Sequence, residues 1–391
     1  MTAFSSFDNA GRSPLFFDDT LRMLRDQVRR FVETEIKPHA DAWEEEGRTP
    51  RALLRKMGEL GFFGIRYPEE LGGAALDQRA TVVWAEELGR STYSGVAITA
   101  LVHTDMASVH IFNAGNEAQK VEWIPRCISG EAISAVAVTE PGAGSDVKGI
   151  STRARREGGD WVLNGAKMFI TNGVHADVYC VAAKTDPEAR PSQSVTMFLV
   201  EKDTPGFTVS RALDKHGWRS SDTAELSFSD VRVPDANVLG SAGGGFYEIM
   251  KNFQNERLVI GAMAMGEAQA ALDLTLDYLR ERRAFGAPLW DKQAIRQRLA
   301  MLSARVEACR QMIYATAARA AAGEDVVREV SMIKALAGEL VNEVMYDCVQ
   351  FHGGMGFMRE STIERMSRDA RVQSIGGGAT EVMLEEVAKR M

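Results

Sequence analysis

Apolar side chains recur along this chain with two different periods, and the changes of period divide it into three parts. Leu21, Leu24, Val28, Phe31, Val32 and Ile36 share one face at 3.6 residues per turn, which predicts an amphipathic helix closed by Pro38. Thr49 and Pro50 predict the start of a second helix, as N-cap and first-turn proline, and Gly61 predicts its end. Asp77 and Asn116 read as further N-caps, and Pro125 as the limit of the last helix in this part. From residue 132 the period falls to two. Stretches 132–139, 161–163, 168–171, 178–183 and 195–200 read as strands, with Asn164-Gly165 as a hairpin turn. Residues 230–234 and the glycines between Gly240 and Gly245 close this region. The helical period then returns over 246–283, 291–322 and 326–351, with a shorter helix at the end. Ile295, Leu299, Leu302, Val306, Cys309 and Ile313 form a continuous stripe, the mark of an antiparallel bundle. The small residues of 258–266 predict a helix buried all round. The expected fold is mainly α with an inserted β domain: an N-terminal helical domain 1–131, a central β domain 132–245 and a C-terminal helical bundle 246–391.

Composition narrows the class. The 391 residues allow two or three domains, and 45% hydrophobic with 26% charged residues is ordinary for a soluble protein. A formal net charge of −8 argues against an electrostatic hold on nucleic acid. The cysteines, Cys127, Cys180, Cys309 and Cys348, show neither disulfide-framework nor metal-ligand spacing, so they read as reduced and no metal is expected. Residues 1–8 lack the charged head and apolar run of a secretory leader, and Asp8, Asp18 and Asp19 come too early for a transit sequence. No apolar stretch reads as long enough to span a bilayer. A cytoplasmic location is the expectation.

Candidate chemistry centres on Val138-Thr-Glu-Pro-Gly-Ala-Gly-Ser-Asp146 and Lys167-Met-Phe-Ile-Thr-Asn-Gly173. An apolar strand enters a Pro-Gly-Ala-Gly turn that leaves backbone N–H groups unhindered, and a second strand brings Phe169 and Thr171 beside it. A dinucleotide fingerprint needs G-x-G-x-x-G between strand and helix, whereas here strand-like sequence follows; no phosphate-binding G-x-x-x-x-G-K-[ST] occurs. Spacing alone leaves two readings open, a plain Gly-rich turn or a cofactor cradle. His103, His110 and His216 show no triad or metal spacing, and His352 reads as structural or cofactor-adjacent.

Together with Arg282-Arg-Ala-Phe-Gly286, Gln350-Phe-His-Gly-Gly-Met-Gly-Phe357 and Arg368-Asp-Ala-Arg371, the first of these words resembles the acyl-CoA dehydrogenase family in order and spacing. The resemblance runs from about Leu21 to Lys389 and is strongest to the long-chain and branched-chain (isovaleryl- and citronellyl-like) members. It implies a β-barrel-like central domain, a C-terminal four-helix bundle and bound FAD. The implied reaction is α,β-dehydrogenation of an acyl-CoA to the trans-2-enoyl-CoA, with electrons passed to electron-transfer flavoprotein. It also implies a homotetramer, a dimer of dimers; the acidic charge and the lack of a spanning apolar stretch add the expectation of no nucleic-acid partner and no membrane insertion. The rivals on the same fold are an oxygen-using acyl-CoA oxidase or flavin monooxygenase, and an FAD-containing nucleic-acid-binding protein.

Such a reaction needs a base for the α-proton, an acceptor for the β-hydride and donors to the thioester oxygen. Many family members carry the base in a Tyr-Glu-Gly-Thr word, where this chain has Gly376-Gly-Gly-Ala379. The isovaleryl and long-chain branches take it from a Glu-Arg pair on a helix, matched here by Glu256-Arg257. Glu256 precedes the apolar run 258–266, so desolvation should raise its pKa. Gly377 keeps a backbone N–H for the thioester carbonyl. By resemblance, Val138, Thr139, Ser145, Phe169, Ile170 and Thr171 hold the flavin, while Arg282, Phe285, Gln293, Gln350, Gly353, Gly354 and Glu381 complete the cofactor contacts, largely toward a neighbouring subunit's FAD. Ser145, Tyr247, Arg257 and Gly376 are the implied substrate contacts, and Val102, with Ile98 and Leu101, the uncharged wall of an acyl pocket. Ala284 and Ala379 replace hydroxyl residues common in the family.

Overall fold

A computed structural model describes residues 7–391. The reading of the first residues as lacking a leader falls almost wholly on residues 1–6, outside the described residues. The N-terminal part is helical: α1 (Asn9–Arg12), α2 (Asp19–Phe31), α3 (Ala40–Glu46), α4 (Arg51–Glu59), α5 (Gln78–Gly89), α6 (Ser94–Leu101), α7 (Ser108–Ala114) and α8 (Glu117–Ile128). All six residues of the first predicted stripe are buried, α2 running on through one π-helical turn, Val32–Ile36. Asp77 and Asn116 cap α5 and α8, the latter in a reciprocal capping box with Gln119.

Three local expectations fail here, each for a physical reason. Pro50 itself is the N-cap of α4, because the Thr49 hydroxyl turns away to donate to the Ser220 carbonyl at 2.8 Å. Pro125 lies inside α8 and does not end it; it sits on the exposed side, where water can satisfy the carbonyl that its missing N–H leaves unbonded. Residues 94–114, comprising α6, a π-helical turn (Val102–Ala107) and α7, are long and apolar enough to span a bilayer, contrary to the sequence reading. That rod is a core helix, with 94% of its most apolar window buried inside the protein.

The middle of the chain forms one eight-stranded sheet: β1 (Ser134–Ala137), β2 (Arg153–Glu157), β3 (Asp160–Thr171), β4 (Val178–Lys184), β5 (Val195–Glu201), β6 (Phe207–Ala212), β7 (Thr223–Pro234) and β8 (Val238–Leu239). The strand order is β6-β7-β3-β2-β4-β5-β8, and β1 lies parallel to β4. Asn164-Gly165 is a bulge within β3 rather than a hairpin, with Gly165 at φ +151° against Thr152. The turn joining β2 to β3 is Gly158-Gly159 instead. A second register shift lies between Lys167 and Ile170, and it sets Phe169 in left-handed backbone at φ +61°.

The last part comprises α9 (Gly245–Glu281), the two-residue strands β9 (Arg283–Ala284) and β10 (Ala287–Pro288), α10 (Gln293–Ala321), α11 (Val327–His352), α12 (Thr362–Ala370) and α13 (Thr380–Ala388). Helices α9 and α11 run parallel, since Gly261 meets Ile333 near one end and Tyr278 stacks on His352 near the other. α10 runs against them, its Arg298 reaching Glu343 and Asp347. The small residues of α9 serve close packing on α5: a Cβ on Gly266 would lie 2.0 Å from the Glu86 carbonyl oxygen, and one on Gly89 2.2 Å from that of Met263. A buried polar knot reinforces this seam, with Arg310 Nε 2.7 Å from Glu86 Oε1 and Tyr314 donating to the same carboxylate.

Candidate active site

The Gly-rich turn is pinned to β3 by a buried ion pair. Lys167 Nζ donates to the Val138 carbonyl at 2.9 Å and to Glu140 Oε1 at 2.7 Å, both side chains being almost fully buried. Burial opposes the Glu140 charge, but Lys167 and donors from Ser151 and Thr152 overcome it and hold the carboxyl at about 2. Burial lowers Lys167 to about 8, still well above its partner, so the pair stays ionised at neutral pH. A backbone bond from Met168 N–H to the Thr139 carbonyl, 2.9 Å, completes the clamp. Val138, Thr139, Phe169, Ile170 and Thr171 are thereby brought side by side. Phe169 is 64% exposed on strained backbone, and a Cβ at Gly142 or Gly144 would meet nothing within 4 Å. The exposed ring and the unobstructed glycines make an open cradle, suited to a planar ring system.

Glu256 stands on α9 with 6% of its surface exposed. Burial raises its pKa to about 8; an Asn252 hydrogen bond and the Arg257 charge oppose that shift, and the Asp105 charge adds to it. Asn252, one turn back on the same helix, donates from Nδ2 to Glu256 Oε1 at 2.8 Å. Arg257 lies over the Phe253 ring at 5.3 Å, and its buried Nε has no hydrogen-bond partner among the described residues.

The chain returns to the same place at its end. Gly377 adopts φ +65°, and a Cβ there would lie 2.6 Å from Cδ1 of Ile260, one turn beyond Glu256. Lys334 of α11 holds this loop, its Nζ donating to the carbonyls of Gln373 at 2.6 Å and Gly378 at 3.0 Å. The Gln373 side chain in turn donates to buried Glu267, whose carboxyl burial raises to about 8.

The remaining expected contacts fall into two groups. Tyr247 sits on the first turn of α9, where its neighbour Phe246 is met at 5.2 Å by Lys148 from the short turn Val147–Gly149, three residues past Ser145; Glu256 and Arg257 lie further along the same helix. Val102, Ile98 and Leu101 are buried on the rod whose π turn packs on α9 through Asn252. By contrast Arg282, Phe285, Gln293, Gln350, Gly353 and Gly354 cluster at the far end of the bundle, joined through Tyr278 and His352. All six are exposed, and Phe285, at φ +54°, is 94% exposed. Arg282 is 26 residues past Glu256, roughly 39 Å along α9 at 1.5 Å per residue. Glu381, in the first turn of α13, stays near Gly377 and apart from that cluster.

His103 is a buried structural residue, bonded to Ser134 and the Cys127 carbonyl, and burial lowers it to about 4. Asn252, Asp105, Lys334 and the Glu140–Lys167 pair are site residues that the sequence reading missed. Of these, only Asn252 had a legible signal, its i,i+4 spacing to Glu256.

The three parts of this architecture match known families in order. Acyl-CoA dehydrogenase N-terminal, middle and C-terminal domain models match residues 18–131, 135–231 and 243–391. Over 378 residues the chain is 40% identical to the mitochondrial long-chain specific acyl-CoA dehydrogenase of Sus scrofa, covering 94% of this chain and 86% of that protein. The crystal structure of acyl-CoA dehydrogenase from Geobacillus kaustophilus is similar at a TM-score of 0.92 and 40% identity, covering 96% of this chain and 98% of that one. A glutaryl-CoA dehydrogenase from Mycobacterium smegmatis in complex with FADH2 is similar at 0.91 and 31% identity, covering 97% and 96%.

Proposed function

The chain belongs to the acyl-CoA dehydrogenase family, and from that premise we propose that it is an FAD enzyme that dehydrogenates medium-to-long or methyl-branched acyl-CoA thioesters to trans-2-enoyl-CoA. The observation that carries this reading is a buried Glu256, held near pH 8, on the same helix face as the residue that abuts Gly377. A general base works best with a pKa near the operating pH, and burial supplies that here. In its ionised form Glu256 takes the α-proton onto a carboxylate oxygen. Negative charge then builds on the thioester oxygen, where the Gly377 N–H is the protein's donor. Arg257, whose buried Nε has no partner among the described residues, is a donor for the polar arm of the substrate.

The cradle of Val138, Thr139, Ser145, Phe169, Ile170 and Thr171 fits a flavin by its exposed ring and open glycines. FAD, when bound, supplies the acceptor for the β-hydride. Arg282, Phe285, Gln293, Gln350, Gly353 and Gly354 lie too far along the bundle to serve the same cradle, which supports their reaching the pyrophosphate and adenine of a second subunit's FAD in a dimer of dimers; Glu381 belongs with the near group. Arg282 suits a pyrophosphate because its planar fork makes charge-assisted bonds. Uncharged Ile98, Leu101 and Val102 support an apolar acyl tail, and electron-transfer flavoprotein is the proposed acceptor.

Anaerobic titration with straight, 3-methyl and terpenoid acyl-CoA thioesters tests this reading, the flavin bleaching with at least one class. Rapid aerobic peroxide release, or no bleaching with any thioester, contradicts it in favour of an oxidase or a non-enzymatic role.

A further inference from the structure

Glu256 takes a single side-chain hydrogen bond among the described residues, and its donor is itself fixed from outside the helix. Asn252 is 2% exposed, and its Nδ2 also lies 3.3 Å from the carbonyl oxygens of Asp105 and Met106. Those carbonyls only accept, so they fix the amide with its NH₂ toward the π turn and toward Glu256. Asn255 repeats the arrangement, donating to the Asp105 carbonyl at 2.9 Å and to Oδ1 of its side chain at 3.2 Å. The π turn is thus stitched to α9 on both sides of the amide.

We propose that Asn252 is a positioning residue for proton abstraction: tethered to the Asp105 and Met106 carbonyls, it aims the Glu256 carboxylate and favours its ionised form. The inference rests on Glu256 being the base. An N–H donor to a carboxylate stabilises the charged state, and low-dielectric surroundings strengthen it. The other groups facing this carboxyl are few. Arg257 adjoins it on α9, itself within the influence of Lys334 on α11 and of Glu386 and Arg390 at the chain end. Asp105 faces it from the π turn, partly balanced by Arg66 at 3.8 Å. Among the described residues, only Asn252 both touches the carboxyl and is held from a second element.

Two readouts on the FAD-loaded enzyme separate the inference from its premise. In Asn252→Ala the midpoint of the acid limb of kcat/KM rises by about one pH unit, the rate deficit shrinking as pH rises, and Asn252→Gln recovers part of the shift. The infrared carboxylic C=O band of Glu256, identified by its loss in Glu256→Gln, titrates upward by the same amount without substrate. If Asn252→Ala does not fold, Asn252→Leu fills a similar volume without the donor or a new charge, and the same rise is expected. An infrared midpoint that stays where it is in these variants overturns the proposal. A midpoint that moves while the kinetic limb does not overturns the assignment of Glu256 as base.

Discussion

A Cβ added to Gly377 would lie 2.6 Å from Cδ1 of Ile260, so the C-terminal loop rests on α9 one turn from Glu256 and a side chain there must push the tip of Ile260 aside. Gly377 also sits at φ +65°, where an L-residue costs roughly 1–2 kcal/mol. Gly377→Ala should therefore lower both the melting temperature and kcat. Moving the carboxylate, as Glu256→Gly with Gly377→Glu, should restore part of the rate lost in Glu256→Gly. Adding Ile260→Val, which deletes the obstructing Cδ1, should restore more. Steady-state kinetics of the double and triple variants check this ordering.

The same carboxyl ties activity to pH and opposes stability. Glu256 folds with its pKa raised from 4.5 to about 8, so between these values the unfolded chain loses a proton that the folded one keeps. Folding is then disfavoured progressively as pH rises through that window. Glu256→Gln should melt higher than wild type at pH 8 and about equally at pH 4.5, as calorimetry across that range would register. Activity runs the other way, with kcat/KM rising with pH until Glu256 is ionised.

At the seam between α5 and α10, Arg310 and Glu86 are both almost completely buried at 2.7 Å. Removing one partner strands the other's charge, at a cost of about 3–5 kcal/mol. Arg310→Met should shift the urea midpoint sharply downward, and Glu86→Gln with Arg310→Met should lose less than the two single changes added together.

The sequence made the long stripes legible because burial on one face imposes their period, as Leu21 to Ile36 and the helix of Glu256 show. Asn164-Gly165 misled because Asn-Gly favours positive φ, which a two-residue turn and a bulge both demand; only the pairing of β3 with β7 distinguishes them. Pro125 misled because a proline on the wet side of a helix forfeits a bond that water replaces. In the candidate site, the family resemblance pointed to Glu256 and Gly377, which the fold brings within one helical turn of each other, whereas Lys334 and Asp105 lie on other elements and have no sequence signal toward Glu256. A tether made through a backbone carbonyl leaves no mark on residue type.

The gap of roughly 39 Å between Glu256 and Arg282 along α9 predicts that cofactor retention depends on assembly. Arg282→Ala should release FAD on dilution at concentrations where wild type keeps it, and release should track dissociation of the oligomer in analytical ultracentrifugation. A monomer retaining FAD at nanomolar concentration would contradict the shared site.

The most direct test of the account is the rate of flavin bleaching by a saturating acyl-CoA in Glu256→Gln, followed anaerobically by stopped flow. The substitution keeps shape and removes the carboxylate proposed as the base. The variant should retain its flavin spectrum and bind the thioester, yet bleach at least about 10²-fold more slowly than wild type at pH 8, the lower bound for a positioned general base. Bleaching within a few fold of the wild-type rate would remove Glu256 from the chemistry.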